Sequence, residues 1–433
     1  MFIQDIVPVK QSWRNLKIRL PAPHPGQVIV RQQARRFNYL MAGRRWRKTT
    51  LIMSICVESA LKGLEVIWGA PTYDISRIAL EETRRACGGM IKFNESRMTA
   101  IFPTGGRIFF RSLDKADNVR GYTANGIAID EAGYVDAEAW YEVLRPMLVD
   151  SNGWAWLFGT PNGHNFFWKE WEEAPKHTDS IAWQAPTLGV EITATGLVRK
   201  KHPLENANVP FSEILNLYHS MSERMFRQEI LCEPARDGAG VFRYIRKLST
   251  LLPELPIPDR QYVIGRDWAR TNDASVSSVW DLLTQREVLL EVEQDLPYAL
   301  QLDRLKALSE RYNDALVVAE QNSLGDPLIE QAAAAGIRIM PFVTTNATKA
   351  TGVDALALAC ERGFIGLQSD ERGILEMEAF EASRTPTGLV KYAAPENMHD
   401  DIVMARLFAY SAIAESGPVI LNAEPDAITI PDG

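Results

Sequence analysis

Apolar and polar positions alternate along the first half of the chain in blocks that suit an α/β domain. Apolar runs at residues 37–41, 64–69, 126–130 and 154–158 have the length of buried strands, and residues 51–61 form a helix-length segment. Short apolar runs separated by helix-length segments are typical of a parallel sheet with helices on its faces. The first half is therefore predicted to be an α/β domain with a parallel-type sheet.

Turn residues also predict antiparallel elements. Residues 98–102 and 107–111 flank a Pro-Thr-Gly-Gly turn, which predicts a hairpin. In the second half, short strands at residues 262–267, 273–280 and 286–292 follow one another directly. This order predicts an antiparallel meander.

Glycine and proline density marks a boundary near the middle of the chain. Residues 238–260 contain two early glycines and then three closely spaced prolines, a composition typical of a linker. The predicted organisation is a first core at 1–163, a lid subdomain at 164–237, a linker at 238–260, a second core at 261–415 and a disordered tail at 416–433.

Composition restricts the class of protein. A length of 433 residues suggests two or three domains, and 46% hydrophobic with 24% charged residues is ordinary for a globular protein. The four cysteines show no C-x-x-C spacing, which predicts reduced, buried thiols, and no apolar run is long enough for a transmembrane helix. A net charge of −8 argues against a permanent nucleic-acid coat but permits a local DNA-binding groove.

A basic loop between the first strand and helix resembles a phosphate-binding loop. Lys48 is placed to reach β- and γ-phosphates, and the Thr49 hydroxyl to bind Mg²⁺. Ala42 and Arg47 stand where the motif has glycine, so the loop alone fits a basic turn without nucleotide equally well. The predicted nucleotide contacts are Ala42, Gly43, Arg44, Arg45, Trp46, Arg47, Lys48, Thr49 and Thr50.

Three further positions complete a candidate ATP site. Asp130 and Glu131 end an apolar strand, where the first would hold Mg²⁺ and the second would activate water. Thr160 follows the next strand and could sense the γ-phosphate, although a plain turn is an alternative. Gln27 could contact the adenine edge or be a surface residue in a turn.

Two arginines are candidates for stabilising the charge of phosphoryl transfer. Arg44 is close to the phosphate loop in sequence and is predicted to act in the same subunit. Arg120, which precedes the Asp130 strand, is predicted to act on a neighbouring subunit. A structural salt bridge is the alternative for each.

Acids in the second half form a candidate nuclease site. Asp267 and Glu320 end apolar strands, and Asp400 and Asp401 open the last helix. Such carboxylates could bind two Mg²⁺ or Mn²⁺ ions, which activate water in phosphodiester cleavage. Asp400 could instead cap the helix, Glu320 could be a surface residue, and sequence does not decide between Asp400 and Asp401. Asp273 is a weaker candidate for the same role. Asn322, Asp326 and Lys349 are predicted to line the groove, the lysine by contacting DNA phosphate.

The ordered set of motifs resembles the large terminase subunit of tailed bacteriophages. The motifs are PGQ, AGRRWRKT, IAIDEA, FGTPNG, GRDWARTND, VVAEQN and MHDDIVMA. The resemblance implies an N-terminal P-loop ATPase with a lid and a C-terminal ribonuclease H-like, resolvase-like nuclease. It also implies ATP and Mg²⁺ as cofactors, with double-stranded DNA, a portal protein and a small terminase subunit as partners, and a homo-oligomeric ring of five in the host cytoplasm during virion assembly.

The resulting hypothesis is an ATP-driven DNA translocase that also cuts concatemeric DNA. Two alternatives remain. A helicase–nuclease of recombination or repair would unwind forked DNA, although no second helicase-type motor domain is evident. A portal adaptor would carry an ATP site weakened by Arg47 and would show negligible hydrolysis.

Overall fold

The chain forms two compact units. The computed structural model describes residues 18, 20–115, 119–163, 165–193, 195–233, 240–268, 274–294, 296–321, 325–384, 390–395 and 398–415. Unit 1 is Met1–Ala239 with Arg384–Val390, and unit 2 is Gly240–Ser383 with Lys391–Gly433. Asp273, Asn322, the side chain of Asp326 and the predicted tail at 416–433 lie outside the described residues.

An eight-stranded sheet organises unit 1. Its strands are β1 (Phe37–Ala42), β2 (Glu65–Ala70), β3 (Lys92–Asn94), β4 (Thr99–Ile101), β5 (Arg107–Ser112), β6 (Gly126–Asp130), β7 (Trp154–Gly159) and β8 (Ser180–Ala185). They lie in the order β3-β4-β5-β2-β6-β7-β1-β8. The strands from β5 to β8 in this order pair in parallel, whereas β3, β4 and β5 pair antiparallel, so the predicted hairpin is confirmed.

Both faces of this sheet are covered. The helices of unit 1 are α1 (Pro25–Gln32), α2 (Lys48–Leu61), α3 (Tyr73–Cys87), α4 (Phe166–Glu173), α5 (Phe211–Ser220) and α6 (Glu223–Glu229), with short helical turns at Gly88–Met90, Ala132–Tyr134, Arg145–Leu148 and Ala174–Lys176 and a π-helix at Ala139–Leu144. Successive residues of β1 point to opposite faces, so Leu40 packs in the cluster with Ile52, and Tyr39 packs in the cluster with Ile127. Both faces of the strand are therefore buried, as its continuous apolar run predicts.

The predicted lid at 164–237 needs correction. Strand β8 lies inside that range but pairs in parallel with β1, from Phe37 opposite Ser180 to Ala42 opposite Ala185. The smaller subdomain that remains contains the hairpin β9 (Val190–Thr193) and β10 (Gly196–Arg199), with α5 and α6. It has its own apolar cluster, which includes Leu188, Ile214 and Phe226. The chain thus completes the sheet before it builds this subdomain.

Unit 2 is built on a five-stranded sheet with two smaller strand pairs beside it. The strands of the second half are β11 (Ser249–Leu251), β12 (Tyr262–Asp267), β13 (Ala274–Asp281), β14 (Arg286–Gln294), β15 (Leu316–Glu320), β16 (Ile339–Phe342), β17 (Leu367–Gln368), β18 (Glu381–Arg384) and β19 (Val390–Ala393). The main sheet has the order β14-β13-β12-β15-β16 and combines an antiparallel half, which confirms the predicted meander, with a parallel half. The helices are α7 (Ile245–Leu248), α8 (Tyr298–Arg311), α9 (Gly325–Ala334), α10 (Asn346–Arg362), α11 (Glu371–Ala379) and α12 (Asp401–Glu415).

The linker predicted at 238–260 is not a free connection over its whole length. Unit 2 begins at Gly240, and α7 and β11 lie inside the predicted linker. Strand β11 pairs in parallel with β17, from Ser249 opposite Leu367 to Leu251 opposite Gln368. Pairing with a segment more than a hundred residues later gave no local sequence signal. In the described part of the chain, no helix has the length and apolarity needed to span a membrane.

Helix α12 crosses the middle of the unit 2 sheet at very short range. A Cβ on Gly265 of β12 would lie 1.8 Å from the Ala405 carbonyl oxygen, so only glycine permits this approach. The Arg406 side chain is fully buried and donates from Nη2 to Glu287 Oε2 at 2.8 Å and from Nε to Glu287 Oε1 at 3.0 Å. Glu287 Oε1 also accepts from Ser278 Oγ at 2.6 Å. These bonds fix the helix against β13 and β14.

Replacing Glu287 by alanine is expected to destabilise unit 2 by about 3–5 kcal/mol, because Arg406 would remain as a buried charge without its counter-ion. The measurement is urea unfolding followed by circular dichroism. Arg286→Ala is the matched control, since Arg286 pairs with Glu254 at the surface, at 3.1 Å. Its loss should cost no more than about 1 kcal/mol. Equal losses in the two variants would contradict a special role for the buried pair.

Candidate active sites

The loop between β1 and α2 takes the left-handed backbone conformation at two arginines. Arg45 has φ 65° and Arg47 has φ 66°. Arg47 is the N-cap of α2 and makes no side-chain capping bond. A non-glycine residue in this conformation carries backbone strain of order 1–3 kcal/mol, and it stays there only where its surroundings hold it. A glycine at position 47 would therefore relieve backbone strain. It would not relieve a side-chain clash, since the Arg47 side chain is exposed.

Helix α1 supplies the bonds that hold this loop. Gln27 Nε2 donates to the Arg47 carbonyl at 2.9 Å, and Gln27 Oε1 accepts from the backbone N–H of His24 at 3.1 Å. His24 Nδ1 accepts from the Gln27 N–H at 3.4 Å, so Nε2 carries the proton and donates to the Trp46 carbonyl at 3.0 Å. The structure thus places Gln27 as a buried brace of the loop, so it is not the surface residue that was the alternative. Its predicted contact with an adenine edge stays a prediction. Burial lowers the pKa of His24, which favours this neutral form.

The Trp46 side chain does not face the loop's exterior. The ring is fully buried and packs edge-on against the His24 ring, with 4.9 Å between centroids. Its Nε1 donates to the Leu204 carbonyl at 2.5 Å. Only the backbone of Trp46 is therefore left for the predicted nucleotide contact.

The segment after β8 grips the loop through backbone carbonyls. Thr187 Oγ1 donates to the Arg44 carbonyl at 2.6 Å, and Asn206 Nδ2 donates to the Arg45 carbonyl at 2.9 Å. A Cβ on Gly43 would lie 2.5 Å from Thr187 Oγ1. Gly43 is consequently required by packing inside unit 1, independently of any phosphate.

The two candidate arginines lie in different settings. Arg44 Nε forms an ion pair with Glu229 Oε2 at the end of α6, and this carboxylate raises the pKa of the guanidinium. Most of the Arg44 side chain, 68%, is nevertheless exposed. Arg120 is exposed before β6. Their roles in phosphoryl transfer stay predictions.

Lys48, Glu131 and Thr160 come together at the carboxyl edge of the sheet. Lys48 Nζ donates to Thr160 Oγ1 at 3.1 Å and pairs with Glu131 Oε1 at 3.2 Å. The backbone N–H of Thr160 donates to Glu131 Oε2 at 3.3 Å. Glu131 has φ 47°, a left-handed backbone conformation that is strained for a non-glycine residue, and such strain is typical of functional positions. The three residues that were predicted from separate motifs thus form one hydrogen-bonded group.

Asp130 and Thr49 form the adjoining pair. Thr49 Oγ1 donates to Asp130 Oδ2 at 3.2 Å, and Asp130 Oδ1 accepts from the Glu131 N–H at 3.0 Å. Burial, reinforced by the neighbouring Glu131 charge, raises the pKa of Asp130 to about 7. A hydroxyl and a buried carboxylate that lacks full charge compensation are oxygen donors that fit Mg²⁺. Thr50 and Gln27 line a cavity of ≈ 170 Å³ beside α2.

Two braces of the candidate ATP site were not predicted from the sequence. Asn165 Nδ2 donates to the carbonyls of Gly133, at 2.8 Å, and Asn162, at 2.9 Å. Asn165 thereby ties the turn after Asp130 to the turn after β7. It is also the N-cap of α4, and an N-cap signal was present in its position before an apolar helix. The second brace, His24, is the N-cap of α1, where the available signal was Pro25 at the start of the helix.

Asp267 and Glu320 are neighbours in unit 2. Strands β12 and β15 pair in parallel with Arg266 opposite Ala319, so the next residues along, Asp267 and Glu320, leave the sheet side by side. Gly265 faces α12, and Asp267 lies two residues later on the same face. Both acids are therefore directed to the side of the sheet that α12 covers.

Helix geometry distinguishes the two acids at the start of α12. Ala405 touches β12, and Asp401 lies one turn earlier on the same face of the helix, whereas Asp400 is rotated by about 100°. The Asp401 side chain is 13% exposed, against 31% for Asp400. Burial raises the pKa of Asp267 well above its usual value, and the charges of Asp401, Glu320 and Asp400 add to this in that order. Asp401 is thus the acid that faces Asp267.

Two basic side chains hold these acids. Lys349 Nζ donates to Asp400 Oδ2 at 3.2 Å, and Arg372 Nη2 donates to Asp401 Oδ2 at 3.1 Å. Across the residues that the structure describes, no three acids, histidines or cysteines are already gathered as a metal-binding group. The carboxylates around Asp267 nevertheless form an oxygen-only donor set, which fits Mg²⁺ or Mn²⁺. The predicted metal ligands stay predictions.

Glu376 is a further acid of this region that sequence analysis missed. Its Oε2 accepts from the Ile402 N–H at 2.8 Å, at the start of α12, and its Oε1 accepts from Arg372 Nε at 2.9 Å. The available signal was the spacing of Arg372 and Glu376 by four residues, which places them on one face of a helix. That spacing alone did not point to the acids of α12.

Two curated relatives show what this chain is similar to. It is 32% identical over 320 residues to the large terminase subunit of Thermus virus P23-45 and 31% identical over 319 residues to that of Thermus phage G20c. Each match covers 70% of this chain and 64% of the relative's own length. No family model matches the chain. The chain is thus homologous to the large terminase subunits of phages, and the resemblance stated from its motifs is confirmed.

A solved structure shows the same fold. The large terminase of another thermophilic bacteriophage has a TM-score of 0.61 with this chain at 13% sequence identity, covering 90% of this chain and 99% of that one. The predicted α/β fold class is confirmed.

Gly43→Ala is expected to destabilise unit 1 by about 1–3 kcal/mol, because the new methyl group overlaps Thr187. The change should appear as a lower melting temperature without nucleotide. Gly89→Ala is the control, since no atom lies within 4 Å of its added Cβ. It should change stability by less than about 0.5 kcal/mol. Wild-type stability in Gly43→Ala, with loss of nucleotide binding alone, would show that this glycine serves the phosphate and not the packing.

Proposed function

We propose that this chain is the ATPase and nuclease subunit of a phage DNA-packaging motor. ATP hydrolysis in unit 1 would drive double-stranded DNA into the procapsid, and unit 2 would cut concatemeric DNA at the initiation and termination of packaging. The observation that carries the proposal is the group of Lys48, Glu131 and Thr160, in which one ammonium contacts both the acid and the hydroxyl. Homology to large terminases supports the coupling to DNA.

The residues of unit 1 divide the work of hydrolysis. Lys48 would bind β- and γ-phosphate oxygens, and the loop N–H groups would add further donors. Thr49 and Asp130 would hold Mg²⁺, which supplies charge neutralisation across the phosphates. Glu131 would orient the attacking water and accept its proton. Thr160 contacts both Lys48 and Glu131, so it is placed to respond when either moves.

The residues of unit 2 suit metal-dependent phosphodiester cleavage. Asp267, Glu320 and Asp401 would hold divalent cations on the face that α12 covers, with Asp400 at its edge. Two bound ions would activate a water molecule and stabilise the leaving oxygen. Asp267 lies in a position where burial and surrounding acids disfavour its charge, and a cation would relieve both.

The proposed assembly follows from the homology to large terminases. We infer a ring of subunits, five in number, on the portal of a procapsid in the host cytoplasm, with a small terminase subunit that selects the DNA. Arg44 would stabilise charge in its own subunit and Arg120 in the next. Three exposed arginines of the loop itself, Arg44, Arg45 and Arg47, support an anionic ligand near this surface.

Glu131→Gln is expected to lower the ATP turnover number by about 10²–10⁴-fold and to retain nucleotide binding, because only the proton acceptor is lost. Lys48→Ala should lose both. Steady-state phosphate release and fluorescent-nucleotide titration of the full chain with DNA measure the two effects. The exposed Lys62 at the end of α2 supplies the control variant Lys62→Ala. Wild-type protein without turnover, even with portal and DNA, would favour the portal-adaptor alternative.

Asp267→Asn and Asp401→Asn are both expected to abolish plasmid cleavage in Mg²⁺ or Mn²⁺, whereas Asp400→Asn should retain more activity, because Asp401 faces Asp267. Asp303→Asn, an exposed acid of α8, should cut like the wild type. Relaxation and linearisation of supercoiled plasmid measure the activity, with EDTA as the metal-free reference. Greater loss in Asp400→Asn than in Asp401→Asn would reverse the assignment.

A further inference from the structure

The two basic residues at the start of α12 differ in how firmly they are held. The inference drawn from this difference rests on the proposed nuclease site. It concerns how the acids of that site are held before a cation binds. Lys349 contacts Asp400, and Arg372 contacts Asp401, at nearly equal distances of 3.2 Å and 3.1 Å. Charge alone would give the two cations the same role. Their other contacts separate them.

Arg372 is fixed from two sides. Its Nη2 binds Asp401 while its Nε binds Glu376 Oε1, so one planar guanidinium bridges two carboxylates. Glu376 is only 4% exposed and is itself fixed, because its Oε2 accepts from the Ile402 N–H of α12. Hydrogen bonds thus connect Ile402 through Glu376 and Arg372 to Asp401, and this series begins and ends in the first turn of α12. A guanidinium in such a fork is preorganised and holds a carboxylate in one orientation.

Lys349 has a looser attachment. Its ammonium is a compact charge on a flexible four-carbon stem, and it contacts Asp400 through a single hydrogen bond. The Phe380 ring lies 5.4 Å from Nζ, a distance at which an aromatic face attracts a cation. The ammonium therefore keeps a favourable neighbour when it leaves Asp400.

We propose that Arg372 is a positioning residue that presents Asp401 to the divalent cations, whereas Lys349 is an exchangeable counter-ion that a cation displaces from Asp400. In the absence of metal, Lys349 lowers the repulsion among the acids and stabilises the folded unit. Cation binding leaves that charge beside Phe380 and without its bond to Asp400. The two residues then have opposite effects on metal affinity although both carry one positive charge.

The test is calorimetric titration of Mn²⁺ into the full chain without nucleotide. Lys349→Met keeps most of the stem and removes the charge, and it should bind Mn²⁺ at least about threefold more tightly, because one competing cation is gone. Arg372→Gln should bind about tenfold more weakly, as is common for residues that orient metal ligands. Without metal, Lys349→Met should melt at a lower temperature than the wild type and gain more from Mn²⁺.

Three further variants make the result specific. Arg246→Gln is the charge control, because Arg246 pairs with Glu371 and Glu378 of the same helix α11 and is not a partner of the acids of α12; its Mn²⁺ affinity should equal the wild-type value. Arg372→Lys should recover part of the affinity, which also guards against misfolding of Arg372→Gln. Asp267→Asn identifies the Mn²⁺ bound at the proposed nuclease site.

The outcomes separate this inference from the function on which it rests. Tighter binding in both Lys349→Met and Arg372→Gln would mean that the two residues act by charge alone, and the positioning role of Arg372 would be overturned. Unchanged or weaker binding in Lys349→Met would overturn the exchange. Wild-type Mn²⁺ binding that Asp267→Asn leaves unaltered would instead overturn the proposed nuclease site.

Discussion

Both units depend on one geometric constraint, which is that the carboxyl ends of adjacent parallel strands meet at the same edge of a sheet. In unit 1 this edge gathers Asp130 from β6 and the segment after β7 around the loop that follows β1. In unit 2 it places Asp267 of β12 beside Glu320 of β15. Groups that are far apart in the sequence therefore become neighbours in space. The remaining architecture mainly decides how far each edge is covered and how the side chains there are compensated.

Compensation of buried charge is the second requirement, since removing ions from water is expensive unless their partners are complete. Unit 2 meets it at Glu287, whose two oxygens accept from Arg406, from Ser278 and from the Gln368 N–H. The completeness of that group lets α12 lie directly on the sheet. The acids at the start of the same helix form ion pairs that are partly exposed, with the side chains 31% exposed at Asp400 and 13% at Asp401. One helix therefore combines a fixed middle with an adaptable beginning.

The candidate site residues that the structure brings together were largely predictable, because nucleotide and metal sites need particular groups in a particular order. Lys48, Glu131 and Thr160 were proposed from separate motifs and do lie in contact. What sequence could not supply is the use of each amide and carbonyl. The sequence reads the same whether Gln27 contacts a base or braces Arg47. It also reads the same whether β8 belongs to a lid or to the sheet. Asp400 and Asp401 were separated only by the direction in which α12 meets Gly265.

The packing around Gly43 also affects how such sequences can diverge. The requirement for glycine there arises from Thr187 and the Ile230 carbonyl, which lie 2.5 Å and 2.8 Å from where a Cβ would stand. Selection for folding would therefore retain this glycine even in a descendant without the proposed nucleotide hydrolysis. A glycine in the motif is then a record of shared architecture, whereas replacement of Lys48 is the change that would mark the loss of activity. Among related genomes, copies of this gene that have lost the activity would be recognised by replacement of the lysine and not by replacement of the glycine.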